Sequence, residues 1–378
     1  MKVTICGAGR TGHLNAVLFK QKPGVEVSVL TGDAAFAERW AEGGPWSVFS
    51  RDGRTLSARP DHAGTDPGEA LVHTDMVIVT QPAQMRPALL RRIADHLPTD
   101  KKVYVGAIPG FCGFDWLAAK ALYQRDNVVI WGMKDVPHIA FDLVPGQSVR
   151  MGGAKAELYV ALHRRESRDG AVALVAMLSR LYDAPVTLLP DFLEITLTPG
   201  NSLMHPAVLY ALIGPGAPWE NRPFEEPLCW WSDCPQAGAE LLEIFDAENQ
   251  AIRLASETRL GIDLGSVKPL KQELIEAYGD QIEDSRSMYT LLRTNRAYAG
   301  IEAPLVPNPV GSGFVIDPES RAFREDIAVG QALLVTMAER LGVAVPAITR
   351  TYRWALAWHG GLANGAPDYI PLRWPEAA

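Results

Sequence analysis

Lys2-Val3-Thr4-Ile5-Cys6-Gly7-Ala8-Gly9-Arg10-Thr11-Gly12 begins as a short buried strand, passes through glycines in a G-x-G-x-x-G spacing, and runs on through Asn15, Leu18 and Phe19 as a helix. Gly7 permits the tight turn, Gly9 lets the backbone approach a pyrophosphate with no Cβ in the way, and Gly12 lets the helix pack close to the strand. The helix N-terminus offers unpaired N–H groups and the positive end of its dipole to phosphates. A plain turn between strand and helix would use the same glycines, so the surrounding βαβ unit carries the argument for dinucleotide binding. Gly7, Ala8, Gly9, Arg10, Thr11 and Gly12 are therefore the candidate cofactor-binding residues.

Outward from this stretch, a second strand is expected over Val25 to Leu30. Apolar β-rich runs at Met76 to Thr80, Lys102 to Val105 and Asn127 to Trp131 alternate with helical patterns such as Gln84 to His96. That alternation predicts a doubly wound parallel sheet. Ala171 to Tyr182 and Val186 to Leu189 read as a closing helix and strand, after which strand-like alternation nearly vanishes. Amphipathic stretches at Ala237 to Ala255, Val267 to Glu276, Ser287 to Thr294 and Asp326 to Leu341 follow, joined by Pro/Gly-rich loops such as Ala303 to Phe314. The expected fold is α/β, with an N-terminal Rossmann domain over residues 1–190 and an all-helical domain over residues 191–378.

The composition narrows the partners. The 378 residues are 47% hydrophobic and 21% charged, and Lys+Arg 36 against Asp+Glu 44 leaves a net charge of -8. An acidic protein repels a phosphate backbone or an anionic membrane, so neither nucleic acid nor membrane is an expected partner. Cys6, Cys112, Cys229 and Cys234 form no CxxC pair, which fits a reducing compartment. The opening run lacks a signal-peptide pattern, and no apolar stretch approaches the ~18 residues of a membrane span, so a cytoplasmic protein is expected. Cys229 and Cys234 around Trp230-Trp231 fail the usual zinc spacings, so no metal is expected and the tryptophans read as packing.

The identity of the dinucleotide turns on the end of the second strand. An acid there would hold the ribose 2′-OH of NAD, but the place is taken by Leu30 or Thr31. Arg39 is placed to return from the next helix toward a 2′-phosphate, while Asp33 opposes it. NADP(H) is therefore slightly favoured over NAD(H), with Thr31, Arg39 and Pro82 added to the cofactor candidates.

For the chemistry, His205 stands out among eight histidines because Pro199-Gly200-Asn201-Ser202-Leu203-Met204-His205-Pro206 falls just past the proposed boundary. Histidine is the side chain most easily tuned to exchange a proton near neutrality, although periodicity alone would make it a buried packing residue. Arg321-Ala322-Phe323-Arg324-Glu325-Asp326-Ile327 reads on composition as a charged helix start, with Asp326 near the N-cap and the helix beginning near Ile327. Read functionally, an arginine there can grip a carboxylate through two hydrogen bonds, and Asp326 can orient an imidazole.

These segments resemble the opine dehydrogenases. The resemblance is carried by the glycine turn, Val29-Leu30-Thr31 with Ala37-Glu38-Arg39-Trp40, Met204-His205-Pro206-Ala207, Asn295-Arg296-Ala297-Tyr298-Ala299-Gly300, and Arg321 with Glu325-Asp326-Ile327. It implies a reductive condensation in which the amine of an amino acid attacks an α-keto acid, water leaves to give an imine, and NAD(P)H reduces it to a secondary amine. It also implies His205 as general acid/base, Asp326 as its hydrogen-bonded partner, and Arg321 as holder of a substrate carboxylate.

Departures from the octopine branch bear on the substrate. A glutamine of that branch is Phe111 here, and the acid of its arginine-binding segment is Lys134, so L-arginine is not the expected amine. Asp135 either touches an amine or caps a turn. Asn201, the Pro109-Gly110-Phe111 loop and Tyr278 to Ile282 look closer to the opine-metallophore branch, which condenses a larger amine with pyruvate or 2-oxoglutarate. Two other readings are a hydroxy-acid dehydrogenase acting on keto acid alone and an inactive dinucleotide sensor. Small-molecule substrates are the expected partners, and a homodimer is allowed.

Overall fold

The computed structural model describes residues 1–362 and 366–376. The chain divides into two units, the first over Met1–Thr196 and the second from Leu197 onward.

The first unit runs β1 (Lys2–Cys6), α1 (Arg10–Lys20), β2 (Glu26–Leu30), α2 (Ala34–Glu42), β3 (Trp46–Phe49), β4 (Thr55–Ala58), β5 (His62–Gly64) and α3 (Pro67–Leu71). It continues through β6 (Met76–Val79), α4 (Arg86–Ala94), β7 (Val103–Ala107), α5 (Phe114–Ala121), β8 (Val128–Met133), β9 (His138–Val144), β10 (Ser148–Ala154), β11 (Leu158–Leu162), α6 (Arg168–Tyr182), β12 (Val186–Leu188) and α7 (Leu193–Thr196). Every residue of β6, β7 and β8 is buried. Such unbroken apolar strands suit a parallel sheet covered on both faces.

The main sheet has the order β12-β11-β8-β7-β6-β1-β2-β5. Strand β1 pairs in parallel with β2, Ile5 opposite Val29, and with β6, Ile5 opposite Ile78. The direction of winding reverses at β1, so the crevice at the carboxyl ends of β1 and β6 is the topological switch point where such sheets bind ligands. The two strands at one edge depart from the parallel pattern: β11 runs antiparallel to β8, and β12 runs parallel to β11.

A second sheet, in the order β4-β3-β10-β9, was not anticipated from the sequence. Strands β4 and β9 hold no buried residue, and β10 spaces its two buried residues three apart, so no apolar run marks them as core strands. It packs on α1, where the fully buried His13 stacks on Trp46 at 4.5 Å. Burial lowers the His13 pKa to about 4, so the imidazole is neutral under ordinary conditions.

The second unit contains α8 (Asn201–Ile213), α9 (Gln236–Leu260), α10 (Leu270–Tyr278), α11 (Met288–Thr294), a π-helical segment (Ala322–Gln331) continuing directly into α12 (Ala332–Leu341), and α13 (Pro346–His359). Helix α9 runs for 25 residues and buries Leu241, Leu242, Phe245 and Ile252. Its Glu248 carboxylate accepts the N–H groups of Ala347 and Ile348 at 2.8 and 2.9 Å, satisfying the N-terminus of α13. Among the described residues, the unit's named strands are a short ribbon of β13 (Leu305–Pro307) and β14 (Phe314–Ile316), in the stretch that reads as a loop in the sequence.

The expectation that a helix begins near Ile327 with Asp326 at its N-cap is corrected. Phe323 and Arg324 already donate to the Ser320 carbonyl at 3.2 and 3.0 Å, so helical bonding begins a turn and a half earlier. Asp326 lies inside the π-helical segment, and Glu325 and Asp326 are buried. Two adjacent acids look like a solvated helix start until their partners on the folded chain are known.

Candidate active site

In the first unit, the glycine turn has the shape a pyrophosphate needs. Gly7 holds φ +124°, and a Cβ there would lie 2.6 Å from Thr80 Oγ1. A Cβ at Gly12 would come within 1.8 Å of the Gly7 carbonyl oxygen, so α1 sits against the turn only because position 12 is bare. At Gly9 an added Cβ would meet nothing within 4 Å, so the turn is open there. Gly9 caps α1 without a side-chain hydrogen bond. The first N–H groups of an eleven-residue helix therefore carry no side-chain cap, and these residues fit a dinucleotide.

The flanking candidates have defined places. Ala8 and Thr11 are half-buried and Arg10 is exposed at the first turn of α1. Thr31 is buried, and its hydroxyl accepts the N–H of Asp33 at 3.1 Å. Asp33 caps α2 by accepting from the Phe36 N–H at 3.0 Å, and its other oxygen lies 3.6 Å from Arg39 Nη2. Pro82 follows β6 and opens a short 3-10 turn. Between β6 and α4, the loop is tied by buried Arg86, which donates to the carbonyls of Gln81, Phe111 and Pro109 at 3.1, 2.9 and 3.0 Å. Phe111 lies under the same guanidinium, 5.2 Å from its ring centroid.

In the second unit, chemistry gathers around His205. Gly200 leads into α8 with φ +40°, and Pro206 sits inside the helix. Proline has no N–H to give the carbonyl four residues back, so one intrahelical bond, to Ser202, is missing beside His205. Helix α8 packs against the π-helical segment. There His205 Nδ1 and Asp326 Oδ2 are 2.8 Å apart, and the Ser202 hydroxyl donates to Asp326 Oδ1 at 3.5 Å. With Nδ1 committed to Asp326, Nε2 is the nitrogen left for exchanging a proton.

The electrostatics of the pair follow from burial. Desolvation pushes the Asp326 carboxyl above its usual range, the His205 hydrogen bond and charge pull it back, Glu325 raises it again and Arg321 lowers it. Arg321 is more than half exposed, yet it is anchored by Glu325, whose carboxylate accepts its Nε–H at 2.7 Å and a second N–H from Nη2. The imidazole of His205 is stacked on Trp230 at 5.2 Å and 12°, and on Trp231 at 5.5 Å and 17°. Backbone bonds hold this segment in place: the Trp230 N–H donates to Ile301 and the Ala303 N–H to Leu228, at 2.8 and 2.9 Å. Tyr298, from the Asn295 to Gly300 motif, packs on Trp231 at 5.4 Å.

Residues 188–359 match the family profile described as NAD/NADP octopine/nopaline dehydrogenase, alpha-helical domain. The chain is 77% identical over its whole length to a Sinorhizobium fredii protein named uncharacterized protein y4xO, all of which is covered. It is 30% identical to octopine dehydrogenase of Mizuhopecten yessoensis, covering 94% of this chain and 89% of that one. A solved structure of octopine dehydrogenase with NADH and L-arginine superposes with a TM-score of 0.83 at 27% identity, over 95% of this chain and 90% of the other. The chain belongs to the octopine dehydrogenase family. It is accordingly an NAD(P)-dependent oxidoreductase acting on CH–NH groups.

Within this octopine dehydrogenase family member, the structure brings His205, Asp326 and Arg321 onto two packed helical segments. Asn201 lies exposed at the first turn of α8, and Asp135 in the first unit is ion-paired with Lys155 at 2.6 Å. Ser202, Trp230, Trp231 and Glu325 escaped the sequence reading as members of this cluster. The tryptophan pair was visible as a motif, but the stack on His205 joins segments some 25 residues apart and has no local signature. Among the described residues, no group of three or more His, Cys, Asp or Glu side chains could hold a metal, and no helix is long and apolar enough to cross a membrane.

Proposed function

We propose that this enzyme condenses an α-keto acid, pyruvate or 2-oxoglutarate, with the amine of an amino acid or of a metallophore precursor, through an imine, and draws on NADPH slightly in preference to NADH. The observation that carries the chemistry is the 2.8 Å contact between His205 Nδ1 and buried Asp326, with Arg321 on the same helical segment as the carboxylate.

The amine nitrogen forms a bond to the keto carbon, and the resulting carbinolamine must lose its hydroxyl as water. His205 Nε2 donates the proton that makes this hydroxyl a leaving group, while Asp326 holds the ring in orientation and stabilises it when charged. Arg321 grips the keto-acid carboxylate and so fixes the face of the reacting carbon. Asn201 and Asp135 are assigned to the amine-bearing substrate. When bound, the reduced dinucleotide supplies the hydride that turns the imine into the secondary amine.

The NADPH preference rests on Arg39. Its pair with Asp33 spans 3.6 Å and both side chains are more than half exposed, so exchanging Asp33 for a 2′-phosphate gives up less than about 1 kcal/mol. The free thiols Cys6, Cys229 and Cys234 support the cytoplasm as its compartment.

A cofactor-oxidation screen crossing pyruvate, 2-oxoglutarate and glyoxylate with amino acids and aminobutyrate-bearing precursors tests the reading. Oxidation is expected only when keto acid and amine are both present, with a product mass equal to both substrates minus water plus two hydrogens. Consumption of cofactor with keto acid alone would make the protein a hydroxy-acid dehydrogenase instead.

A further inference from the structure

Ser202 and His205 stand three residues apart on α8 and both reach Asp326, one at each carboxylate oxygen. The imidazole meets Oδ2 at 2.8 Å, and the Ser202 hydroxyl donates to Oδ1 at 3.5 Å. Ser202 is 0% exposed and Asp326 1%, so bulk water reaches neither group.

The direction of this hydroxyl follows from its place in the helix. Farther along a helix, a hydroxyl turns back to the carbonyl four residues before it. Ser256 in α9 does so to Ile252, Thr336 in α12 to Ala332, and Thr294 in α11 to Thr290, each at 2.8 Å. Helix α8 begins at Asn201 behind Gly200, so the residue four before Ser202 lies outside the helix. The Ser202 hydroxyl reaches across to the neighbouring π-helical segment instead.

From this geometry we infer that Ser202 is a positioning residue for the reaction, fixing the plane of the Asp326 carboxylate so that neutral His205 carries its proton on Nδ1. Nε2 is then the nitrogen that takes up and gives back the reacting proton. The inference rests on the reading of His205 as the acid/base. The torsion that turns an aspartate carboxylate is broad, so one hydrogen bond sets a distance and leaves the plane loose. A second donor on the other oxygen fixes the plane. His205 from α8, and Glu325 and Arg321 from its own segment, act on the charge of Asp326, whereas Ser202 acts on its orientation. At 3.5 Å the hydroxyl contact is long for a carboxylate acceptor. Hydrogen bonds that serve a reaction are often long at rest and tighten in the reacting complex.

The test compares substitutions at this one position in the full-length protein. Ser202→Ala removes the hydroxyl, Ser202→Cys fills nearly the same space with a weak donor, and Ser202→Thr keeps the hydroxyl. Nitrogen NMR of protein labelled at its histidine rings reads the tautomer at a pH where the His205 ring is neutral, its signals assigned by their loss in His205→Ala. Wild type and Ser202→Thr should show the Nδ1–H form, and Ser202→Ala and Ser202→Cys a mixture of both forms. Kinetics use whichever keto acid and amine support turnover. Ser202→Ala and Ser202→Cys should lower kcat by about ten- to a hundredfold and leave the KM for the dinucleotide within about threefold of wild type.

The inference falls if wild type shows mixed tautomers, or if either the tautomer or kcat is unchanged in Ser202→Cys. Should Ser202→Ala fail to fold, the near-isosteric Ser202→Cys decides. A folded Ser202→Thr as slow as Ser202→Cys also counts against it. His205→Ala separates the two levels. Near wild-type turnover in that variant removes the acid/base reading itself, whereas lost turnover there beside wild-type behaviour in Ser202→Cys removes only the role of Ser202.

Discussion

His205 reaches Asp326 through Nδ1 and packs on two neighbouring indoles, which leaves Nε2 as the nitrogen for proton exchange. His205→Ala should lower kcat by about two to four orders of magnitude with dinucleotide affinity little changed, measured by steady-state kinetics and fluorescence titration. Near wild-type turnover would end the assignment. Arg39 makes a second residue-scale case. Arg39→Ala should raise the KM for NADPH and leave that for NADH nearly fixed, so a constant ratio of the two would show that Arg39 does not read a 2′-phosphate. His205 could be singled out from sequence because its short motif is contiguous. Glu325 could not, since an exposed and a buried glutamate are written with the same letter and only packing against the rest of the unit removes its water.

The glycine turn, at the scale of an element, is legible because each of its requirements is local. Gly12 is needed by the carbonyl of Gly7 five residues away, and Gly7 by its own φ of +124°. Gly12→Ala should force α1 away from the turn and weaken dinucleotide binding by roughly tenfold or more, with residual secondary structure intact by circular dichroism. Wild-type affinity in that variant would mean the turn does not hold the pyrophosphate. The π-helical segment is the opposite case. Its wide turn leaves no period that a sequence window picks up, and the helix start was placed too late because Glu325 and Asp326 resemble an N-terminal charge cluster. The strands β3, β4, β9 and β10 were missed for a related reason: β3 and β4 have only four residues each, and β4 and β9 hold no buried residue, so hydrophobic patterning is weak.

For the whole molecule, buried titratable groups in the first unit set opposing pH dependences. Burial raises the Asp115 pKa to about 7 and lowers those of His13 and His163 to about 4. A carboxyl whose folded pKa is raised binds its proton more tightly when folded, so stability falls as pH rises from its unfolded value near 4 toward 7. The histidines act in reverse, since their unfolded forms take up protons first and stability falls as pH drops from about 6.5 toward 4. These effects oppose one another over the shared window. Asp115→Asn removes one side, so its stability advantage over wild type should grow from near pH 4 to pH 7, reaching about 4 kcal/mol. Urea unfolding across that range checks it, and a difference independent of pH would show that Asp115 is not the group responsible.

The chain's letters alone determined the glycine turn, the run of apolar parallel strands and the helical character of the second half, because steric permission and hydrophobic period act between neighbours. Only the tertiary structure decided which acids are buried, which cation each one meets, and which aromatic faces close over His205. Those outcomes depend on where water is excluded, and exclusion is a property of surfaces brought together from distant parts of the chain.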